Sequence, residues 1–178
     1  MKHLNHAALA LFMLPWSAVA EFMPERSFGD IRLSQLSSGQ AYYAGLFHIY
    51  DAALYTRGTA ANEAPRCLSL TYHVPLSRDK LILAAEKTLR RQGVDPNQLQ
   101  PQLGQLHGHF RDVAEGDRYT LCHLKPDTIQ LFYNDQEQIS LSGENFAHSY
   151  LGIWLGENSI SSSLRAALLK PFPLQPSR

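Results

Sequence analysis

Three short alternating runs stand one behind another between Arg118 and Leu141: RYTLCHL (118–124), TIQLFYN (128–134) and QISL (138–141). Two tight turn sequences, Lys125-Pro126-Asp127 and Asn134-Asp135-Gln136, join them. Connections this short leave no room for a crossover, so the three strands must pair antiparallel as a meander. Whatever else the chain does, it has to complete a sheet of that kind.

More strand pattern lies upstream. Ile31, Leu33 and Leu36 alternate with Arg32 and Ser34 as a first strand, and Ser37-Ser38-Gly39 reads as a turn. Ala41–Thr56 then reads as one long aromatic-rich strand, divided by a bend or bulge at Asp51-Ala52-Ala53 and covered in part on both sides. Arg57–Arg66 is a loop. Cys67–Val74 sets Leu68, Leu70 and Tyr72 against Ser69, Thr71 and His73, a strand with one drier face. Glu21–Gly29 is a polar lead-in.

Helices come in two blocks. Ser77 caps the first, with Leu76 and Leu81 placed as a hydrophobic staple and Leu81, Ile82, Ala85 and Leu89 as its apolar stripe; Gly93 ends it. Asp95-Pro96 starts a second, with a kink or restart at Pro101 and Leu99, Leu103, Leu106 and Phe110 facing inward. After the meander, Glu144–Gly156 forms an amphipathic helix. Phe146, Ala147, Tyr150, Leu151 and Trp154 fall on one stripe, so it should act as the lid of the core. Ser161 or Ser162 caps a last helix, Leu164–Leu169. Strands, two helices, three strands, two helices is the order of an α+β fold, a curved antiparallel sheet with a helical layer on one face. Residues 21–178 make one domain, with a loose Pro-rich tail at 170–178.

The ends and the charge set limits on function. Met1–Ala20 has Lys2 ahead of the apolar run Ala7–Leu14 and a small-x-small site at Ala18-Val19-Ala20, the pattern of a secretory signal too short to span a bilayer. The mature chain is expected in the periplasm or secreted. Formal net charge is zero and the pI is about 7.1, which gives no electrostatic case for nucleic acid or an anionic membrane. In an oxidising compartment Cys67 and Cys122 are disulfide candidates; the alternative is two buried free thiols.

Chemical motifs are sparse. The chain lacks GxSxG, a phosphate loop, paired CxxC and a zinc-protease helix. His107-x-His109 and Cys122-His123 supply too few converging ligands, so those histidines read as exposed or capping groups and no metal or cofactor is expected. Asp51 and Asp117 read as bulge and turn residues. His48 sits in the most apolar strand, either as a satisfied core histidine or as a polar handle in a cleft beside Tyr42, Tyr43 and Tyr50.

Phe47-His48-Ile49-Tyr50 followed by Ala52-Ala53-Leu54-Tyr55 is similar to the KVYxAALY strand of bacterial chalcone-isomerase-like proteins. Gly116-Asp117, Phe146-Ala147, Ile153-Trp154-Leu155-Gly156, Leu164 and Leu168-Leu169 resemble later landmarks of that family in order and spacing, over roughly Ile31–Leu169. The resemblance implies an open-faced β-sandwich with an apolar cleft between sheet and helices. Some members close a flavanone ring; others bind fatty acids without catalysis.

The ring-closing members use an arginine where this chain has Tyr42, and a tyrosine and an asparagine near Leu81 and Thr88. The turn at Asn134-Asp135 also departs from the family's common Asn-Gly. The resemblance therefore implies the fold without the catalysis: a small apolar or amphipathic ligand, such as a fatty acid, with Tyr42, His48, Tyr50 and Tyr72 as the polar contacts. Two alternatives stand beside it. One is an isomerase or lyase using other residues, with Tyr or His as acid and base. The other is an envelope interaction protein whose cleft is simply filled.

Overall fold

The structure is a computed structural model that describes residues 25–58, 65–143 and 145–170. The signal-like segment and the end of the tail lie outside those residues. Seven strands, β1 (Glu25–Phe28), β2 (Ile31–Tyr43), β3 (Phe47–Thr56), β4 (Arg66–Tyr72), β5 (Arg118–His123), β6 (Thr128–Tyr133) and β7 (Gln136–Ser142), pair in chain order, each antiparallel to the next. The helices are α1 (Arg78–Arg91), α2 (Gln102–Gly108), α3 (Phe146–Leu155) and α4 (Ser162–Leu168). The α+β architecture, the meander and the placing of the helices are those expected. Among the described residues no helix is long and apolar enough to cross a membrane.

The helix-facing side of the sheet carries Tyr50, Ala52, Leu54, Leu68, Leu70, Tyr72, Tyr119, Leu121, Ile129 and Leu131, packed under α1 to α4 as the main core. A second, smaller cluster, Phe28, Leu33, Ala53, Tyr55, Cys67, Cys122 and Phe132, fills the opposite side. β1 and β6 stand five strand spacings apart, about 24 Å in a flat sheet at ~4.8 Å per step. Yet the rings of Phe28 and Phe132 are only 6.2 Å apart, and Arg26 of β1 pairs with Asp135 beyond β6. The sheet therefore curls strongly around this second cluster. Cys67 and Cys122 face each other directly across β4 and β5, and they are bonded.

The helix caps fall where the sequence put them. Ser77 accepts from the Lys80 N–H, Asp95 from Asn97 at a short 3₁₀ turn, and Ser161 from Leu164. The strand edges differ from expectation in three places. Glu25–Phe28 is a strand, not a lead-in; its polar, exposed pattern suits a sheet edge. The expected long strand Ala41–Thr56 is a hairpin, turning at Ala44 and Gly45, both at positive φ. Asp51 consequently sits in regular pairing, opposite Gln40 and Thr71, and is not a bulge residue. Ser37-Ser38-Gly39 lies inside β2, because α4 packs directly on it: the Ser37 hydroxyl donates to the Leu168 carbonyl, and small side chains are what the close approach allows.

Gly39 shows how tight that contact is. A Cβ there would stand 2.8 Å from Ala167 Cβ and 2.9 Å from Leu164 Cδ1. Gly39→Ala should therefore lower stability by about 1–3 kcal/mol, the usual range for overpacking, in urea denaturation. Gly58→Ala, where among the described residues nothing lies within 4 Å of the added Cβ, should be close to neutral and serves as the control.

α3 buries a wider face than the expected stripe. Ile153 and Leu155 are covered along with it, against α1, α4 and β6, and His148, Ser149 and Gly152 form the less buried side.

Candidate functional site

Between the sheet and α1 and α3 the packing is incomplete. A cavity of about 770 Å³ opens there, within the range typical of small-molecule sites. Leu70, Tyr72, Leu121, Leu131, Tyr150 and Ile153 form its buried floor. Tyr43 and Leu83 stand exposed at its mouth, and Leu46 and Phe47 continue that apolar rim along the hairpin tip. Lys80, on the first turn of α1, is the one charged residue of the lining among the described residues.

Four buried tyrosines, Tyr50, Tyr72, Tyr119 and Tyr150, line the cavity inside the rim formed by Tyr42 and Tyr43. Trp154 Nε1 donates to the Tyr50 hydroxyl at 3.2 Å. The Tyr150 hydroxyl meets His107 Nε2 at 3.1 Å, and Tyr119 accepts from the Arg111 N–H at 2.8 Å. Among the described residues the Tyr72 hydroxyl has no hydrogen-bond partner, which leaves it to a guest. Burial pushes the Tyr50 phenol up to about 12 and raises the Tyr72 and Tyr150 phenols well above their ordinary value too. Such phenols stay neutral at physiological pH. They can donate a hydrogen bond but cannot act as a base.

The four residues singled out from sequence divide between two surfaces. Tyr50 and Tyr72 line the cavity and Tyr42 reaches its rim. His48 is not part of the lining. β3 has one residue more than β2 at this point: Tyr50 pairs with Ala41 and His48 with Tyr42, leaving Ile49 as a bulge. The bulge puts Ile49 and Tyr50 both against the cavity and turns His48 to the other face, where Tyr42 stacks on it at 5.1 Å.

On that face His48 finds unforeseen company. Its Nε2 is 2.8 Å from one oxygen of Asp51, and His73 Nε2 is 2.8 Å from the other. Burial presses the Asp51 carboxyl upward, but the hydrogen bonds and charge of His73 and His48 outweigh it and hold the carboxyl below its ordinary value. The signal in the sequence was faint: one Asp inside an apolar strand, and a His at the end of the next.

His107 corrects another expectation. It is buried against Tyr150 rather than exposed or capping, and desolvation lowers its pKa to about 4. His109 is exposed, as expected. The cavity lining missed from sequence, chiefly Lys80, Leu83, Phe110 and Tyr119, comes from elements whose relative placement no local pattern records.

Three comparisons bear on this fold and site. Residues 38–170 match the family described as chalcone isomerase-like. A Haemophilus influenzae protein described only as uncharacterized is 28% identical over 134 residues, 74% of this chain and 66% of that protein. The match thus spans just under two thirds of the relative's length. The crystal structure of an Arabidopsis thaliana fatty-acid binding protein superposes with a TM-score of 0.59 at 13% identity, covering 77% of this chain and 86% of that one. At that identity the likeness speaks for the fold alone. The family match covers about three-quarters of the chain, includes the strands and helices that enclose the cavity, and agrees with the landmarks seen in the sequence: the chain belongs to the chalcone isomerase-like family.

Proposed function

We propose that this protein binds a long-chain amphipathic carboxylate, such as a fatty acid, in the cavity between the sheet and α1 and α3, and catalyses no reaction on it. The observation that carries the reading is the lining: an apolar cavity of about 770 Å³ with a single cation, Lys80, among the described residues. The chain of the ligand would lie over Leu70, Leu121 and Leu131. Its carboxylate would meet Lys80, and among the buried tyrosines of the described lining Tyr72 would offer an uncommitted phenol. The apolar rim of Tyr43, Leu46, Phe47 and Leu83 suits entry of a hydrocarbon tail. The description of the Arabidopsis protein of like fold as fatty-acid binding supports the same reading. Ring closure fits less well. Among the described residues the lining holds no arginine to steady a developing phenolate, Tyr42 stands only at the rim, and Leu81 and Thr88 carry no suitable group. The signal-like Met1–Ala20 and the Cys67–Cys122 bond support a site of action outside the cytoplasm.

The test is a thermal melt of delipidated protein with saturated fatty acids of increasing length. A ligand at a hundred times its dissociation constant contributes about 2.7 kcal/mol, which is roughly 5–10 °C for a chain of this size. Ala85→Trp, which drives an indole into the cavity, should abolish the shift, and Lys80→Glu should weaken binding at least about fivefold. A parent protein that melts unchanged with every chain length, and yields no lipid on extraction, would remove the proposal.

A further inference from the structure

We infer that His48, Asp51 and His73 form a binding site for an imidazole-preferring divalent cation, zinc or copper(II), on the sheet face opposite the cavity. The site is independent of the ligand reading. Its donor atoms, one from each residue, lie within 4.8 Å of one another. Ligands bound to zinc at about 2.0–2.2 Å stand roughly 3.3–3.5 Å apart, so only small side-chain rotations separate this cluster from a coordination shell. Two imidazoles and one carboxylate are a donor set that suits zinc and copper, and three protein ligands leave a fourth position open to water.

The surroundings hold the donors in place. The bulge at Ile49 brings His48 and Asp51, three residues apart, onto one face, where strict alternation would have parted them. The His73 N–H donates to the Ile49 carbonyl at 2.8 Å, which anchors the second imidazole beside the same bulge. The two imidazole rings stack at 4.1 Å, and Tyr42 packs on the outer side of His48, its own hydroxyl donating to Gln40 at 2.9 Å. The groups facing the cluster from the neighbouring strands are Gln40 and Thr71, both neutral. Among the described residues no lysine or arginine pairs with Asp51, so its partly buried charge is met by the imidazoles alone. In the metal-free state each Nε2 carries a proton and donates to one Asp51 oxygen. On binding a cation that proton shifts to Nδ1 and the Nε2 lone pair turns to the metal.

Calorimetric titration of the chelator-treated full chain with zinc, and electron paramagnetic resonance with copper(II), test the inference. One equivalent per chain should bind, with a copper spectrum coupled to two imidazole nitrogens. His73→Ala and Asp51→Asn should each weaken binding by roughly 100-fold, the scale set by losing one of three ligands, while His109→Ala leaves it unchanged. Circular dichroism of each metal-free variant establishes that it is folded, and His73→Gln stands in if the alanine variant is not. Binding that survives in folded His73 and Asp51 variants, or no binding at millimolar metal, would mean that the three residues are only a hydrogen-bonded pin between β3 and β4.

Discussion

Replacing Cys67 and Cys122 together by alanine should lower the unfolding free energy by about 4 kcal/mol and the melting temperature by roughly 10 °C. The bond joins residues 55 apart in sequence. In the unfolded chain it closes a long loop, and the entropy it removes there is the main source of the effect. In the folded chain the two cysteines already oppose each other on β4 and β5, fully buried, so the strands have little reason to move when the bond is gone. The variant should keep its circular dichroism spectrum and lose only stability. Urea denaturation of parent and variant measures the difference, and the parent with added reductant should approach the variant. A difference below about 1 kcal/mol would mean that the loop is constrained in the unfolded state by something other than the bond.

Acid should weaken the fold well above the carboxylate range. His107 is held neutral when folded, chiefly by desolvation, with Arg78 adding to the effect and Glu86 opposing it; its folded pKa is about 4. Unfolded, it takes up a proton near 6.5. The unfolded chain therefore binds the proton first as pH falls. The contribution is complete above about pH 6.5 and is lost progressively as pH drops toward and through 4. A shift of that size corresponds to about 3 kcal/mol at most. His123, lowered by its own burial and then by Arg66, acts in the same direction. Asp51 and Asp117 are also lowered, but their contributions fade only below about pH 4, outside this window. Urea denaturation at steps between pH 7 and pH 4 should show the slope. His107→Gln keeps a polar partner for Tyr150 and should flatten most of it. An unchanged slope in that variant would assign the acid sensitivity elsewhere.

What the sequence made legible was local. Ser77, Asp95 and Ser161 announce helix starts because a cap is a contact within one turn. The meander between Arg118 and Leu141 is legible because its turns are short. What it hid was long-range. Ser37-Ser38-Gly39 has the composition of a turn, and only the approach of α4, more than 120 residues later, explains its place in a strand. His107 reads as exposed until Tyr150, 43 residues on, is placed against it. The cavity was foreseeable as a cleft of the family, with Tyr50 and Tyr72 in it, but Lys80 and Leu83 join it through the packing of α1 against α3, which holds α1 across the cavity from the sheet. Strict alternation would put His48 on the same side as Tyr50, and a single unpaired residue, Ile49, breaks alternation without any mark in composition.

That residue, Ile49, has a wider consequence. It is the phase shift between two readings of one strand: the same few positions present grease to one side and nitrogen donors to the other. A chain shortened by that one residue would close the ladder into plain alternation, with His48 still opposite Tyr42 and its imidazole still on the carboxylate's side, and would lose only the Ile49 side chain from the cavity wall. The extra residue thus thickens the greasy surface of β3 without moving the donors on its reverse, and a trim at that one point would test the two surfaces separately.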